Sequence, residues 1–441
     1  MNESAPVAPR PEPEQPTTSN LPTLYADRSF WGMAVTQFLG AFNDNLFKQL
    51  MLLLATPTAA AIAAGQAGKD MQSDAMIVFA SAFLLFSGLA GYLGDKLSKR
   101  GVVVFSKVAE IGVMLLGFAG FYYYDLIGFP GMLMVLFLMG TQSAFFGPSK
   151  YGILPEMLRN EDLPRANGIF LMLTFLAIIF GTAAAGLLLR ELGSRVWLSS
   201  LFCVGIAILG TLTSLLVRST PIADANLRFR FSMLGISRDM VVLLKRDRAL
   251  LMALVVSSLF WMIGGIVQQT VNALGKTQLG LKDWPTSVMA ASIGLGIAMG
   301  CVIGGILSRG CINPRVVKTG AVGICLTLVI LALPGGSHHH LLGYPGSVPA
   351  LIVLGTFTGI FIVPIQVALQ SLPPKQEKGR MIGLMNQCSW IGIILGAILY
   401  KACIAILDYT GGPRSTIFLV TALIMLPVAL FYYPQGEEES S

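Results

Sequence analysis

The sequence predicts an all-α protein that crosses a membrane twelve times. Three observations support this fold class: the composition, the spacing of the apolar runs and an internal repeat. Of the 441 residues, 54% are hydrophobic and 12% are charged, whereas soluble domains carry about 25% charged residues. The mean hydropathy is +0.71. The net charge of +7 follows membrane topology, as shown below, and we expect no nucleic-acid partner.

Twelve apolar runs are long enough to span a bilayer, which takes about 20 helical residues. They lie near residues 30–55, 75–94, 102–124, 129–147, 167–189, 196–217, 249–273, 286–307, 316–334, 348–370, 381–404 and 415–433. Several contain Pro or Gly, which membrane helices tolerate when neighbouring groups satisfy the freed backbone.

The Lys and Arg residues predict the orientation. With the N-terminus placed inside, 22 of the 30 fall in cytoplasmic segments and six in outer loops. The 22 include Lys107, which we assign to the loop between the second and third spans. Cytoplasmic loops of membrane proteins are enriched in Lys and Arg. Both termini are therefore predicted to be cytoplasmic.

The two halves of the chain resemble each other. GYLGDKLSKRGVVV at 91–104 aligns with residues 305–318 at an offset of 214, Pro148 with Pro364 at 216, and Arg165 with Arg380 at 215. Both copies start on the same side, so the repeat is parallel. The predicted domains are a disordered tail at 1–28, a six-helix bundle at 29–218, a basic linker at 219–247, a second six-helix bundle at 248–434 and a disordered acidic tail at 435–441. This layout resembles the major facilitator superfamily.

The first span carries polar residues at its centre, in FLGAFNDNLFKQ at 38–49. A charge at mid-membrane costs about 2.5–3.5 kcal/mol on insertion scales. Helical spacing puts Gln37, Asp44 and Lys48 on one stripe with Asn45 beside it. We interpret this stripe as the wall of a substrate path. The alternative is a purely structural Asp44–Lys48 ion pair.

The loop after the second span, GYLGDKLSKRG at 91–101, resembles the superfamily signature of that loop. Glycines such as Gly91 allow close helix approach. Asp95 can accept from a helix N-terminus in the other half and pair with a basic residue. The second copy has Arg309 in the place of Asp95, so the predicted cytoplasmic gate is asymmetric. The candidate gating residues are Gly91, Asp95, Arg100, Glu156, Arg165 and Arg309.

Three segments give a more specific resemblance: FLGAFNDNLFK in the first span, GPSKYGILPE at 147–156 and RANG at 165–168. In this order and spacing they resemble the lysophospholipid transporter family, which also occurs fused to acyltransferase domains. SLFW at 258–261 and FIVPIQVALQ at 361–370 continue the likeness more weakly.

The resemblance implies roles for individual residues. The acidic residue of the family's first helix corresponds to Asp44, its Lys at the end of the fourth helix to Lys150, and its acid in the following loop to Glu156. The chain departs from the pattern at Asn43, where the family has Gly, and at Gln268, where it has Arg. Lys48 is absent from the family pattern, and its charge could replace that of the missing Arg from across the cavity. The candidate substrate-binding residues are Asp44, Lys48, Asn45, Gln37, Lys150, Gln142, Gln268 and Asn272.

The alternatives to these roles stay open in the sequence. The Gln and Asn residues could be interhelical hydrogen-bonding groups, each pair worth about 0.6 kcal/mol, and Lys150 could serve topology alone.

The resemblance implies a secondary transporter in the inner cell membrane. It would move lysophospholipid, chiefly lysophosphatidylethanolamine, from the outer to the inner leaflet for re-acylation. We expect a monomer surrounded by membrane lipids, with no cofactor or metal, no enzymatic activity, and a separate acyltransferase as a candidate partner. The alternatives are a proton-coupled exporter of drugs or metabolites, with Asp44, Glu110 or Glu156 as the proton carrier, and a non-transporting scaffold for an acyltransferase.

Overall fold

The computed structural model describes residues 22–65, 68–222, 238–308, 313–335, 339–374 and 378–434. In this part of the chain eleven long apolar helices and one shorter one follow one another at the positions of the twelve predicted spans, and they are numbered α1 to α12 here. Their bounds are Arg28–Ala55, Gln72–Lys96, Lys99–Tyr122, Tyr124–Gly152, Leu163–Leu192, Trp197–Ser214, Arg248–Ala273, Asp283–Ser308, Pro314–Ala332, Gly343–Ser371, Lys378–Thr410 and Thr416–Phe431. Eleven have the length and hydropathy of membrane spans, and α12 is a shorter apolar helix.

Local signals in the sequence set where several helices begin. Asp27 caps α1 by accepting from the Ser29 amide at 2.8 Å, and Asp247 caps α7 by accepting from the Leu250 amide at 2.9 Å. Asn313 caps α9, whose first residue is Pro314. These residue types are favoured at N-caps because their side-chain oxygens satisfy free amides of the first turn. In α4, Gly128 (φ +57°) makes a kink that a residue with a Cβ would adopt only under strain.

The two halves of the protein use the same helix pairings. In the N-half, which is α1 to α6, the main packing pairs are α1 with α5, α2 with α4, and α3 with α6. In the C-half, α7 to α12, they are α7 with α11, α8 with α10, and α9 with α12. Between the halves, α2 packs on α11 and α5 packs on α8. The pairing supports the parallel repeat predicted from the offset of 214–216 residues.

Two segments outside the predicted bundles carry structure. Residues 22–28, assigned to the disordered tail, pack on the bundle: Leu24 is buried, and Asp27 pairs with Arg218 at 2.6 Å. The last part of the predicted linker forms a short helix, Arg238–Arg246, because its alternation of apolar and charged residues buries Met240 and Leu244.

The halves are joined at one end of the bundle. We call the end that holds the start of α1 and the end of α12 the terminal end, and the opposite end the distal end. At the distal end, Gln49 donates to Asn272 at 2.9 Å, Asn272 donates to Gln72 at 3.0 Å, and Tyr400 donates to Asp70 at 2.8 Å. These five residues form the distal lock. They come from α1, α7, α11, the first position of α2 and the segment just before α2.

At the terminal end, two glycines at the starts of corresponding helices are open. Gly168 on α5 and Gly383 on α11 are both exposed. No atom of the described structure lies within 4 Å of the position that a Cβ would take at either residue. The end that is closed by hydrogen bonds between the halves is thus the distal end.

Candidate substrate-binding site

Asp44 lies in the middle of α1, half-buried, and faces α4. Ser143 donates its hydroxyl to one carboxylate oxygen at 2.6 Å, and Gln142 donates its amide to the other at 3.4 Å. Both partners are neutral. The carboxylate is thus held in place by α4, and its charge remains available to a ligand.

Lys48 lies one turn further along α1 and is also half-buried. Its ammonium donates to Asn45 at 3.1 Å and lies 5.7 Å from the centre of the Phe79 ring. In the described structure no ion pair within 4.0 Å joins it to Asp44. The structural Asp44–Lys48 pair, which was the alternative interpretation of this stripe, does not form in this conformation.

An aromatic wall stands beside Lys48 and connects the two halves. Phe83 on α2 stacks on Trp390 of α11 with ring centres 4.0 Å apart, and Phe79 meets the edge of the same indole at 6.0 Å. The indole N–H of Trp390 is buried without a hydrogen-bond partner. A buried donor of this kind is costly unless a partner reaches it, and it is placed next to the charged stripe. The sequence analysis did not identify Trp390 or Ser143.

The structure places three other predicted binding residues in helix packing. Gln37 is fully buried and bonds α5 through both ends, donating to the Phe170 carbonyl at 3.0 Å and accepting from Thr174 at 3.1 Å. Asn272 is also fully buried, within the distal lock. Gln268 is half-buried and donates to Gln49 at 3.5 Å. Of these three residues, Gln268 is the one that is not fully buried.

Lys150 is half-buried in the last turn of α4. It lies seven residues beyond Ser143, which is two helical turns along the same face. A cation therefore stands on the Asp44 side of α4, nearer the terminal end.

The predicted gating residues are distributed around the terminal end. Asp95 and Arg165 are exposed, and Asp95 forms no hydrogen bond or ion pair with the described residues of the other half. Arg100 donates to the Leu215 carbonyl at 3.2 Å, and Glu156 pairs with Lys99, both within the N-half. Arg309 lies outside the described residues.

The close helix approach expected at Gly91 is absent, because no atom of the described chain lies within 4 Å of its Cβ position. Gly94, three residues on, is the glycine that meets α4, at Ser149.

One charged residue lies elsewhere than predicted. Lys107, assigned to a loop, is 2% exposed inside α3 and pairs with Glu110 at 2.5 Å. Asn43 donates to the same carboxylate at 2.7 Å, and the ammonium lies 4.8 Å from the Phe146 ring centre. The spacing of Lys and Glu three residues apart could have indicated this pair. The interaction explains why a buried lysine is stable there and why Asn43 stands where a Gly was expected.

Comparisons with known proteins agree with this architecture. The family model described as Major Facilitator Superfamily matches residues 33–397. A protein of Enterobacter sp. (strain 638) named "Lysophospholipid transporter LplT" is 29% identical over 79% of this chain and 83% of its own. The protein of the same name from Escherichia coli (strain K12 / DH10B) is 26% identical over 87% of this chain and 92% of its own.

Two solved structures share the fold. A mutant of the nucleoside transporter NupG has a TM-score of 0.65 and 16% identity, covering 92% of this chain and 98% of its own. A POT family transporter in complex with a thioalcohol-conjugated peptide has a TM-score of 0.69 and 14% identity, covering 94% and 98%. With the two six-helix halves and the match over most of its length, this chain belongs to the Major Facilitator Superfamily of transporters.

Proposed function

We propose that the protein is a secondary transporter that flips a lysophospholipid, of the lysophosphatidylethanolamine type, from the outer to the inner leaflet by alternating access. The observation that carries the proposal is the pair of opposite, mutually unpaired charges on one face of α1. Asp44 and Lys48 are half-buried and bonded to neutral groups. The printed names of the relatives support the same substrate class.

The charges fit the two ends of a zwitterionic head group. Asp44 would accept from the ammonium of ethanolamine, and Lys48 would meet the phosphate, because charge-assisted hydrogen bonds are the strongest that a site can offer. Gln142, Asn45 and Gln268 would supply neutral hydrogen bonds. Lys150, two turns nearer the terminal end, would take the phosphate as the lipid leaves.

The aromatic wall suits the single acyl chain. Phe79, Phe83 and Trp390 offer a continuous apolar surface next to the charged stripe. A head group that enters a polar interior with its tail in hydrocarbon has to pass sideways between helices. We therefore propose lateral entry from the bilayer.

Alternating access would open the distal lock and close the terminal end in turn. With both termini on the cytoplasmic side of the inner membrane, the terminal end faces the cytoplasm. The present conformation, in which the distal lock is closed, would then correspond to release of the substrate toward the cytoplasm. Asp95, Arg100, Glu156, Arg165 and Arg309 are proposed to act when the terminal end closes. The product would be re-acylated by a separate acyltransferase.

A proton-coupled exporter is the second candidate, and one observation favours it. Asp44 has no cation within 4.0 Å in the described structure, so it could take up and release a proton. By contrast, Glu110 and Glu156 are each paired with a lysine.

The test is leaflet-to-leaflet flux of labelled lysophosphatidylethanolamine in proteoliposomes, with and without a pH gradient. We expect flux in the wild type and a loss of about tenfold or more in Asp44→Asn, the effect of one charge-assisted bond. Asp74→Asn is the matched control, since Asp74 forms a half-exposed ion pair with Lys401 at the distal end. Absence of lysolipid flux together with proton-driven export of a soluble cation would favour the second candidate. No flux of any kind would favour a scaffold.

A further inference from the structure

An open cavity lies away from the charged stripe, at the terminal end of the C-half. Its volume is about 840 Å³, and it is lined by the short helix Arg238–Arg246, the start of α7, the end of α10 and the residues that follow α12. Ligand pockets commonly measure about 300–1,000 Å³. The proposed transport path does not use this cavity.

The lining of the cavity is amphiphilic. Arg246 and Arg248 contribute two exposed guanidinium groups, and Tyr432 and Tyr433 contribute phenolic hydroxyls. Small and apolar side chains complete the lining, among them Ala253, Met252, Leu372 and Phe431. A cationic edge above an apolar surface matches an amphiphile better than a water-soluble anion.

The charged residues of the lining leave a net positive charge. Arg246 and Arg248 form no ion pair or hydrogen bond with the described residues, and the one carboxylate in the lining, Asp247, accepts from the Leu250 amide at the start of α7. Two guanidinium groups thus stand against one carboxylate that already caps a helix. The charge therefore favours a ligand with net negative charge.

The position of the cavity matches the head-group level of a bilayer. The first residue of α7 and the last of α12 lie beside it. On the two helices that line it, Val242 is 64% exposed and Val255 is 51% exposed. Exposed apolar residues of this kind on a membrane protein face lipid chains. Basic pockets between membrane helices at the cytoplasmic side are suited to anionic lipid head groups.

We propose that this cavity binds a two-chain anionic phospholipid of the leaflet at the terminal end. Arg246 and Arg248 hold its phosphate, the tyrosine hydroxyls meet the glycerol region, and the chains lie along Met252 and Phe431. The lipid would tie the short helix to α10 and α12. The inference requires the membrane fold and is independent of which substrate the protein transports.

The experiment measures lipid binding to the purified full-length protein by native mass spectrometry. Dioleoylphosphatidylglycerol is the anionic probe, dioleoylphosphatidylcholine the zwitterionic one and 1-oleoyl-lysophosphatidylglycerol the single-chain one. Each basic residue near a membrane surface is worth roughly fivefold in binding, so we expect about thirtyfold preference for the two-chain anionic lipid over the zwitterionic one.

The variant Arg246→Gln/Arg248→Gln should abolish this preference. Lys245→Gln/Arg28→Gln is the matched control: it removes the same charge from the same end of the bundle, from exposed residues outside the lining of this cavity. The control should keep the preference, and both variants should melt like the wild type, because all four side chains are exposed.

Four results would overturn the proposal. One is equal binding of phosphatidylglycerol and phosphatidylcholine by the wild type, and a second is an equal loss of preference in the control variant. The third is tighter binding of the lysolipid than of the two-chain lipid, which would make the cavity an exit on the transport path. The fourth is selective binding that appears only when Glu437, Glu438 and Glu439 are changed to Gln, which would assign the cavity to the acidic tail.

Discussion

The N-half and the C-half share their helix pairings and differ in where they place charge. Inside the membrane the N-half holds Asp44, Lys48 and the buried pair Lys107–Glu110. At the offset of 214 that aligns the segment just before it, Glu110 corresponds to Ile324, a buried apolar residue of the C-half. The C-half contributes neutral amides, a tyrosine and an indole to the interface. We infer that ionic recognition resides in the N-half, and that the C-half supplies an apolar wall and a neutral lock.

The largest loss of stability is expected when the buried Lys107–Glu110 ion pair is broken. Glu110→Gln leaves the Lys107 ammonium without a counter-charge at 2% exposure, which typically costs about 3–5 kcal/mol. Thermal unfolding in detergent, followed by tryptophan fluorescence, should show a strongly lowered Tm.

An apolar version of the site, as the C-half has it at Ala321 and Ile324, provides the control. Lys107→Met/Glu110→Leu introduces apolar side chains of similar volume, and such a replacement of a buried ion pair is often nearly neutral. The double variant should melt close to the wild type. A double variant as unstable as the single one would show that the N-half needs the charges themselves.

A somewhat smaller effect is expected where the C-half is packed most tightly. A Cβ at Gly300 on α8 would overlap the carbonyl oxygen of Thr356 on α10. Because backbone would have to move, Gly300→Ala should cost up to about 3 kcal/mol. Gly305→Ala on the same helix, where no described atom lies within 4 Å of the Cβ position, should leave Tm unchanged. Equal melting of the two variants would contradict this account of α8–α10 packing.

The distal lock comes next. Tyr400→Phe removes the 2.8 Å bond to Asp70, a bond to a charged group worth about 1.5–3 kcal/mol, and should shift the protein toward distal opening. Spin labels at Arg195, in a distal loop of the N-half, and at Tyr409, in the last turn of α11 at the distal end of the C-half, should report a longer distance by electron–electron double resonance. Lys401→Met, at a neighbouring pair in which the lysine is 56% exposed, should have little effect. An unchanged distance in Tyr400→Phe would remove Tyr400 from the lock.

The smallest expected effect is a pH dependence of the distance between the spin labels at Arg195 and Tyr409. Burial raises the pKa of Asp70 above its ordinary value, and hydrogen bonds from Gln72 and Tyr400 and the charge of Arg414 offset part of the rise. In an open, hydrated gate the pKa would return toward about 3.9. The closed state therefore binds the proton more tightly. The stabilisation that this proton gives to the closed state is complete below the ordinary pKa and is lost as pH rises through the raised pKa. Acidification should therefore favour the closed state and shorten the distance between the two spin labels. Asp70→Asn should abolish the response; a response that survives this change would place the titrating group elsewhere.

The sequence predicted the twelve helices, the repeat and the charged stripe because each depends on local periodicity. Asp44, Asn45 and Lys48 lie within two helical turns, so their common face follows from 3.6 residues per turn. Lys107 was misplaced because hydropathy marks where a span is apolar and does not reveal a neighbour that neutralises a charge. The distal lock could not be predicted from the sequence, since Asp70 and Tyr400 lie 330 residues apart and meet only because the two halves pack against each other.

The central claim is that Asp44 and Lys48 recognise different parts of the head group. The most direct measurement compares the flux of lysophosphatidylethanolamine and lysophosphatidylglycerol in proteoliposomes carrying Asp44→Asn or Lys48→Gln. Because the glycerol head group has no ammonium, Asp44→Asn should lower ethanolamine-lipid flux about tenfold or more and spare the glycerol lipid. Lys48→Gln should lower both. Equal loss of both lipids in Asp44→Asn, with flux restored in Asp44→Asn/Lys48→Gln, would show a structural pair and contradict the claim.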